Sequence, residues 1–194
     1  MKTRVLVVLM VFVVATAASA FDQKRKGFVI GLGVGVSAVS YTQELDYGSS
    51  TDTSSRENEV ALRTDFKIGY GFNEHLLLYW MSKVSWFGMD NALGDHVTIT
   101  AGVAGAGISY YISPEPKGLY ILAGVGYSSW AAPFESDSDT WIGFGGAAGL
   151  GYEIARNWSV EIVGSWGNPK DEIVGGTATT YALAGALTIN GRAY

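Results

Sequence analysis

Six charged residues stand at alternate positions inside otherwise apolar or glycine-rich segments: Arg63, Asp65 and Lys67, then Lys83, then Glu153 and Glu161. A spacing of two places neighbours on one face of a strand. Charges on such a face, once removed from water, must pair. The set therefore predicts a salt-bridge network in a narrow interior, with Arg63, Lys67 and Lys83 meeting Asp65, Glu153 and Glu161. A second set is acidic and lies in polar stretches. It comprises Glu44, Asp46, Asp52, Glu57 and Glu59 against Arg56 alone, then Asp90 and Asp95, then Glu135, Asp137 and Asp139. Carboxylates at this density suit a basic partner or hard divalent cations. As charge runs they also keep a surface solvated.

Other chemistries find little support. His75 and His96 open two different segments at opposite ends, so at about 3.3 Å per residue they lie too far apart to share a metal ion. No metal and no cofactor is expected. Asp95-His96 with Ser85, Ser128 or Ser129 offers the residue types of a hydrolytic triad, but no Gly-x-Ser-x-Gly marks a nucleophile, and the reading is not an enzyme. Gly31-x-Gly33 has Val36 where a dinucleotide loop needs its third glycine, and no helix follows. Asn157-Trp158-Ser159 has glycosylation spacing but falls in a tight turn.

The elements that must position these residues are strands. Period-two alternation recurs in eight segments: about 27–42, 59–72, 75–87, 97–112, 118–130, 140–154, 158–166 and 180–190. The second sets Val60, Leu62, Phe66, Ile68, Tyr70 and Phe72 against Arg63, Asp65, Lys67, Gly69 and Gly71. In the fourth, Val97, Ile99 and Ala101 follow one phase and Ile108, Tyr110 and Ile112 the other. A glycine bulge near Gly105–Gly107 is the expected cause. Segments of ten or more residues are long for a soluble sheet and suit a tilted membrane strand of roughly 9–11 residues. One face is bulky and apolar, the other small, glycine-rich and sparsely charged. That is the lipid-out, polar-in pattern of a closed barrel.

Connections alternate in length. The short ones are Gly71–Glu74, Ser113–Lys117 and Ala155–Asn157, expected on the periplasmic side. The long ones are 43–58, 88–96, 131–139 and 167–179, expected outside. Aromatics cluster at segment ends, where two interfacial belts belong. Trp86, Trp130, Trp141 and Trp166 mark the loop ends; Phe28, Tyr70, Phe72, Tyr110, Tyr120, Tyr152 and Trp158 mark the turn ends.

The chain has 194 residues, 26 glycines and no cysteine, so it holds no disulfide and no thiolate metal site. Lys2 and Arg4, the apolar run Val5–Val14 and Ala18-Ser19-Ala20 form the three parts of a secretory signal peptide, with cleavage expected after residue 20. Residues 21–194 would then be one domain. Removing Lys2 and Arg4 from 13 basic residues leaves 11 against 18 acidic, a net charge of −7. That balance argues against nucleic acid.

The turn phrases Gly149-Leu-Gly-Tyr-Glu-Ile-Ala-Arg-Asn-Trp-Ser-Val-Glu-Ile162 and Gly69-Tyr-Gly-Phe-Asn-Glu-His75, set among eight alternating segments, resemble the outer-membrane protein β-barrel superfamily. Small members include the membrane domain of outer membrane protein A, outer membrane protein X and the opacity proteins. The resemblance implies an all-β, eight-stranded antiparallel up-and-down transmembrane β-barrel in the bacterial outer membrane, surrounded by lipid and lipopolysaccharide. The expected role is structural or adhesive, exercised by a monomer through extracellular loops toward an external ligand or host surface. The rival readings are a small pore or transporter for small or apolar solutes, and a lipid-modifying enzyme.

Overall fold

The computed structural model describes residues 25–90, 96–115, 117–135, 138–155 and 157–193. The signal segment at 1–20 lies outside the described residues. Ten strands follow in order: β1 (Gly27–Asp46), β2 (Thr51–Thr53), β3 (Glu57–Gly71), β4 (Leu76–Asp90), β5 (His96–Tyr111), β6 (Leu119–Ala131), β7 (Trp141–Ala155), β8 (Trp158–Gly167), β9 (Lys170–Ile173) and β10 (Gly176–Ala193). Eight of them form an antiparallel meander, β1-β3-β4-β5-β6-β7-β8-β10, and β1 pairs with β10 from Ile30↔Ala193 to Asp46↔Thr177 to complete the ring. A ring leaves no unpaired sheet edge, as lipid requires.

The stagger of the ring can be followed through paired residues. Val34 pairs with Thr64, then Val84, Gly102, Ser129, Ile142, Lys170 and Thr179, which pairs with Glu44. One circuit thus returns to β1 ten residues beyond its start, at 44 instead of 34. With about 3.3 Å per residue and roughly 4.8 Å between strands, this shear tilts the strands by about 40°. Each residue then climbs roughly 2.5 Å along the axis, so about ten residues cross a lipid band ~25 Å tall. β1, with 20 residues, and β10, with 18, outrun that band on the loop side. There β2 adds to β1 and β9 to β10, making a four-stranded wing above the rim. Segments 43–58 and 167–179, expected as loops, contain this wing. Strands of three and four residues are too short to show alternation in polar sequence.

The faces divide as the alternation demands. Leu32, Val34, Val36, Leu62, Trp80, Ile121, Phe144, Leu150, Ile162 and Leu187 point outward and are exposed, while Arg63, Lys83, Glu153 and Glu161 are buried inside. This inversion of a soluble core fits lipid outside and a filled lumen within.

β5 corrects one expectation. Its register is continuous from His96 to Tyr111 against β4, and from Thr100 to Tyr111 against β6, with no bulge at Gly105–Gly107. Ile99, Ala101 and Val103 face the lumen, and Ile108 and Tyr110 face outward. Apolar residues change phase because the upper lumen is itself apolar. Among the described residues a register shift falls between β7 and β8, at Glu153/Ala155.

Candidate functional site

Two constellations occupy the interior, one along the lower lumen and one at the outer mouth. In the lower lumen Arg63 Nε lies 3.1 Å from Asp65 Oδ1, Lys83 Nζ 2.5 Å from Asp65 Oδ2, and Lys83 Nζ 3.4 Å from Glu161 Oε2. Lys67 closes on the other oxygen of Glu161. The order Arg63–Asp65–Lys83–Glu161–Lys67 alternates in sign, with a cation at each end. Neutral partners support the ends. The Lys67 ammonium lies 5.4 Å from the centroid of the Tyr79 ring, and Arg63 Nη1 donates to Ser85 Oγ at 2.9 Å. Thr188 Oγ1 donates to Asp65 at 3.4 Å, and the Tyr120 hydroxyl donates to Glu161 at 2.6 Å.

Glu153 does not join that chain, contrary to the sequence expectation. It stands nearer the turns and lies 3.2 Å from Arg25 Nε and 3.8 Å from Arg192 Nη2. Neither arginine was marked by the alternation, because Arg25 precedes β1 and Arg192 ends β10. Arg25 also donates to the carbonyls of Glu74 (3.1 Å), Ser113 (2.9 Å) and Glu115 (2.6 Å), so it ties two turns to β7. Its guanidinium lies 4.0 Å from the Tyr111 ring centroid, and that of Arg192 lies 5.0 Å from Tyr120. Carbonyls and π-faces thus take up the positive charge that one carboxylate leaves over.

Two aromatics placed in the belts belong inside. Tyr120 is fully buried beside Glu161, and Trp130 is 5% exposed. Trp130 packs tilted against Tyr41 (4.9 Å between ring centroids) and edge-to-face with Phe87 (5.6 Å) in an upper cluster that also holds Val39, Ala61, Ile99, Ala101 and Ala184. Trp141 is partly buried against the same cluster. Even positions of β6 face the lumen, and strand phase outweighs the headgroup preference of the ring. Trp158 and Trp166 face outward. Trp86 does as well, donating Nε1–H to Thr64 Oγ1 at 2.9 Å and packing 6.5 Å from the Phe134 ring.

Above the aromatic cluster lies a cavity of about 430 Å3 lined by Tyr41, Gln43, Ser54, Glu57, Glu59, Gly88, Met89 and His96. A second of about 160 Å3 is lined by Gln43, Leu45, Asp52, Ser54 and Trp141. The two share Gln43 and Ser54. The acidic residues therefore split. Glu57, Glu59 and Asp52 line the mouth, whereas Glu44 and Asp46 take the opposite phase of β1 from Gln43 and Leu45. Glu135 and Asp139 are exposed in the loop after β6. Asp90 ends β4, and Asp95 and Asp137 lie outside the described residues.

Among the described residues no group of three histidine or carboxylate side chains could hold a metal ion. His75 sits at the turn side, with Nδ1 2.7 Å from the Tyr111 carbonyl, and His96 lines the mouth. Ser85 pairs with Ala101 and Ser128 with Val103, five and seven residues along β5 from His96. At about 3.3 Å per residue those hydroxyls lie roughly 17 and 23 Å away, beyond reach of a shared proton.

This closed, inverted barrel is an integral membrane protein of the β class. The family model described as outer membrane protein beta-barrel domain matches residues 5–182, and the chain belongs to that family. Its place is the bacterial outer membrane. Among solved structures it is similar to the outer membrane protein OprG of Pseudomonas aeruginosa, with 10% identity and a TM-score of 0.51 over 88% of this chain and 98% of that one. The outer membrane protein AlkL in DMPC lipid bilayers matches with 16% identity and a TM-score of 0.51 over 87% and 91%. Ail, the attachment invasion locus protein of Yersinia pestis, shares 16% identity at a TM-score of 0.40 over 84% and 99%. The first two likenesses speak for the fold alone. No curated protein matches the chain.

Proposed function

We propose that this protein is a sealed barrel whose work is done at its outer surface, in a structural or adhesive role toward a partner presenting basic groups. One observation carries the reading: ion-paired side chains fill the lower lumen, and the Tyr41–Phe87–Trp130 cluster fills the lumen above them. An eight-stranded lumen is just wide enough to be filled in this way. With the axis occupied, specificity resides in what the strands present above the membrane. The carboxylates there favour a cationic partner over an anionic one. In this reading the barrel is a monomer, with its apolar belt against lipid and lipopolysaccharide.

The test pairs two measurements. Cells carrying the protein should bind a cationic surface, and removal of residues 47–56 or neutralisation of the mouth carboxylates should weaken that binding while the barrel still folds. The same protein in planar bilayers should show no steady conductance. Stable channels insensitive to Asp65, Lys83 and Glu161 would replace this reading with the pore.

A further inference from the structure

The outer mouth carries more chemistry than solvation requires. Glu57 and Glu59 sit on the inward phase of β3, the phase of Ala61 and Arg63, and line the cavity, Glu59 half-buried and Glu57 open to solvent at its rim. Neither is ion-paired among the described residues. Tyr41 is the register partner of Glu57 and forms the floor. The residue is 4% exposed, its ring packed against Trp130 and Phe87, and its hydroxyl makes no hydrogen bond to a described residue. The phenol thus offers an accessible hydrogen-bond donor and acceptor beside the two carboxylates.

We infer that this cup is a binding site for an alkylammonium or guanidinium group carried on an apolar stem. Two carboxylates two residues apart on one strand face stand about 7 Å apart, close enough to flank one cation. Tyr41 and Met89 give the stem an apolar floor, and the adjoining slot between Leu45 and Trp141 gives it room to extend. Gln43 and Ser54, shared by both cavities, supply neutral hydrogen bonds. The main cavity falls within the roughly 300–1,000 Å3 typical of small-ligand sites. The same chemistry comes from two sources: an arginine or lysine side chain on a peptide, or a free polyamine. The inference rests on the proposal that the outer surface recognises a basic partner, and it names where.

The test uses the full barrel in phosphatidylcholine nanodiscs, whose neutral lipid does not itself attract cations. A fluorescein-labelled tetra-arginine amide is titrated by anisotropy at low and at physiological salt. The parent should bind, more weakly as salt rises. E57Q/E59Q should weaken binding by about tenfold or more, since the charge-assisted contacts are lost. Y41F should weaken it by about threefold without changing the salt slope, because only a neutral hydrogen bond is removed. Heat-modifiable migration verifies the fold of each variant, and Y41F stands alone if the double variant fails to assemble. Spermidine that displaces the peptide shows that free amines share the site; spermidine that fails to do so assigns the site to peptide side chains. Equal weakening by E44Q/D46N, on the opposite phase of the same wing, would mean diffuse attraction and overturn the cup while leaving a cationic partner in place. No binding by the parent at low salt overturns the cup outright, and the cell-binding assay then judges the wider proposal separately.

Discussion

Lys83 is fully buried and touches both carboxylates of the alternating chain, Asp65 and Glu161. Its neighbour Glu161 carries two cations at once and accepts the Tyr120 hydroxyl as well. Removing one partner of a buried pair leaves an uncompensated charge, which costs more than the pair itself contributes. E161A strands Lys67 and leaves Lys83 to Asp65 alone, and it should lower stability by about 3–5 kcal/mol, read as a shift in the urea midpoint of the folded barrel in lipid. Replacing Lys67, Lys83 and Glu161 together by apolar residues of similar size should recover much of that loss. A loss under about 1 kcal/mol from E161A alone would show that water reaches the lysines.

Strand phase decided most of what could be read beforehand. Alternation alone separates Arg63, Asp65 and Lys67 from Leu62, Phe66 and Ile68, and it places Glu161 opposite Ile162. Where residue type was weighed above phase, the reading failed. Trp130 and Tyr120 occupy even positions on β6, whose odd positions Leu119, Ile121, Val125 and Tyr127 face lipid. β5 misled for a different reason, since it crosses a polar lumen below and an apolar one above, so hydrophobicity changes face while the backbone does not. Arg25 and Arg192 lie outside the alternating runs, and the cup joins β1, β2, β3, β4 and β5 in a way that no single segment displays. Glycines on one wall make room for bulk from the other. A Cβ at Gly151 would strike the Tyr120 ring, and one at Gly107 the Tyr79 ring. G151V should therefore tilt Tyr120 off Glu161 and reduce the yield of folded barrel on refolding, whereas valine at the outward neighbour Leu150 should refold like the parent. Equal yields for the two would deny the filled-lumen account of that glycine.

At the scale of the molecule, the ring makes stability collective. None of the eight ring strands can leave without breaking two ladders, and none has a free edge within the ring from which detergent could peel it. The folded protein should run as a compact species in SDS without heating and as an extended one after boiling, with a β-rich circular dichroism spectrum before boiling. A helical spectrum, or migration unchanged by heat, would contradict the ring. Above the membrane the wing of β2, β1, β10 and β9 rises on one side only, so the outer surface is lopsided, with the cup at its foot.

The alternating charges also set an order in time. Arg63 and Lys83 meet Asp65 within one hairpin, at separations of 2 and 18 residues, so those pairs form as soon as β3 and β4 come together. Lys67 waits for Glu161, which is 94 residues away, and Arg25 waits for Glu153, 128 residues away. A barrel built from its first strands alone holds cations facing an open, wet interior, and the partners that let the interior dry arrive only with β7 and β8. Without Glu153 and Glu161 the first strands would leave the Arg25 and Lys67 side chains with no carboxylate partner, charges that only water could then hold.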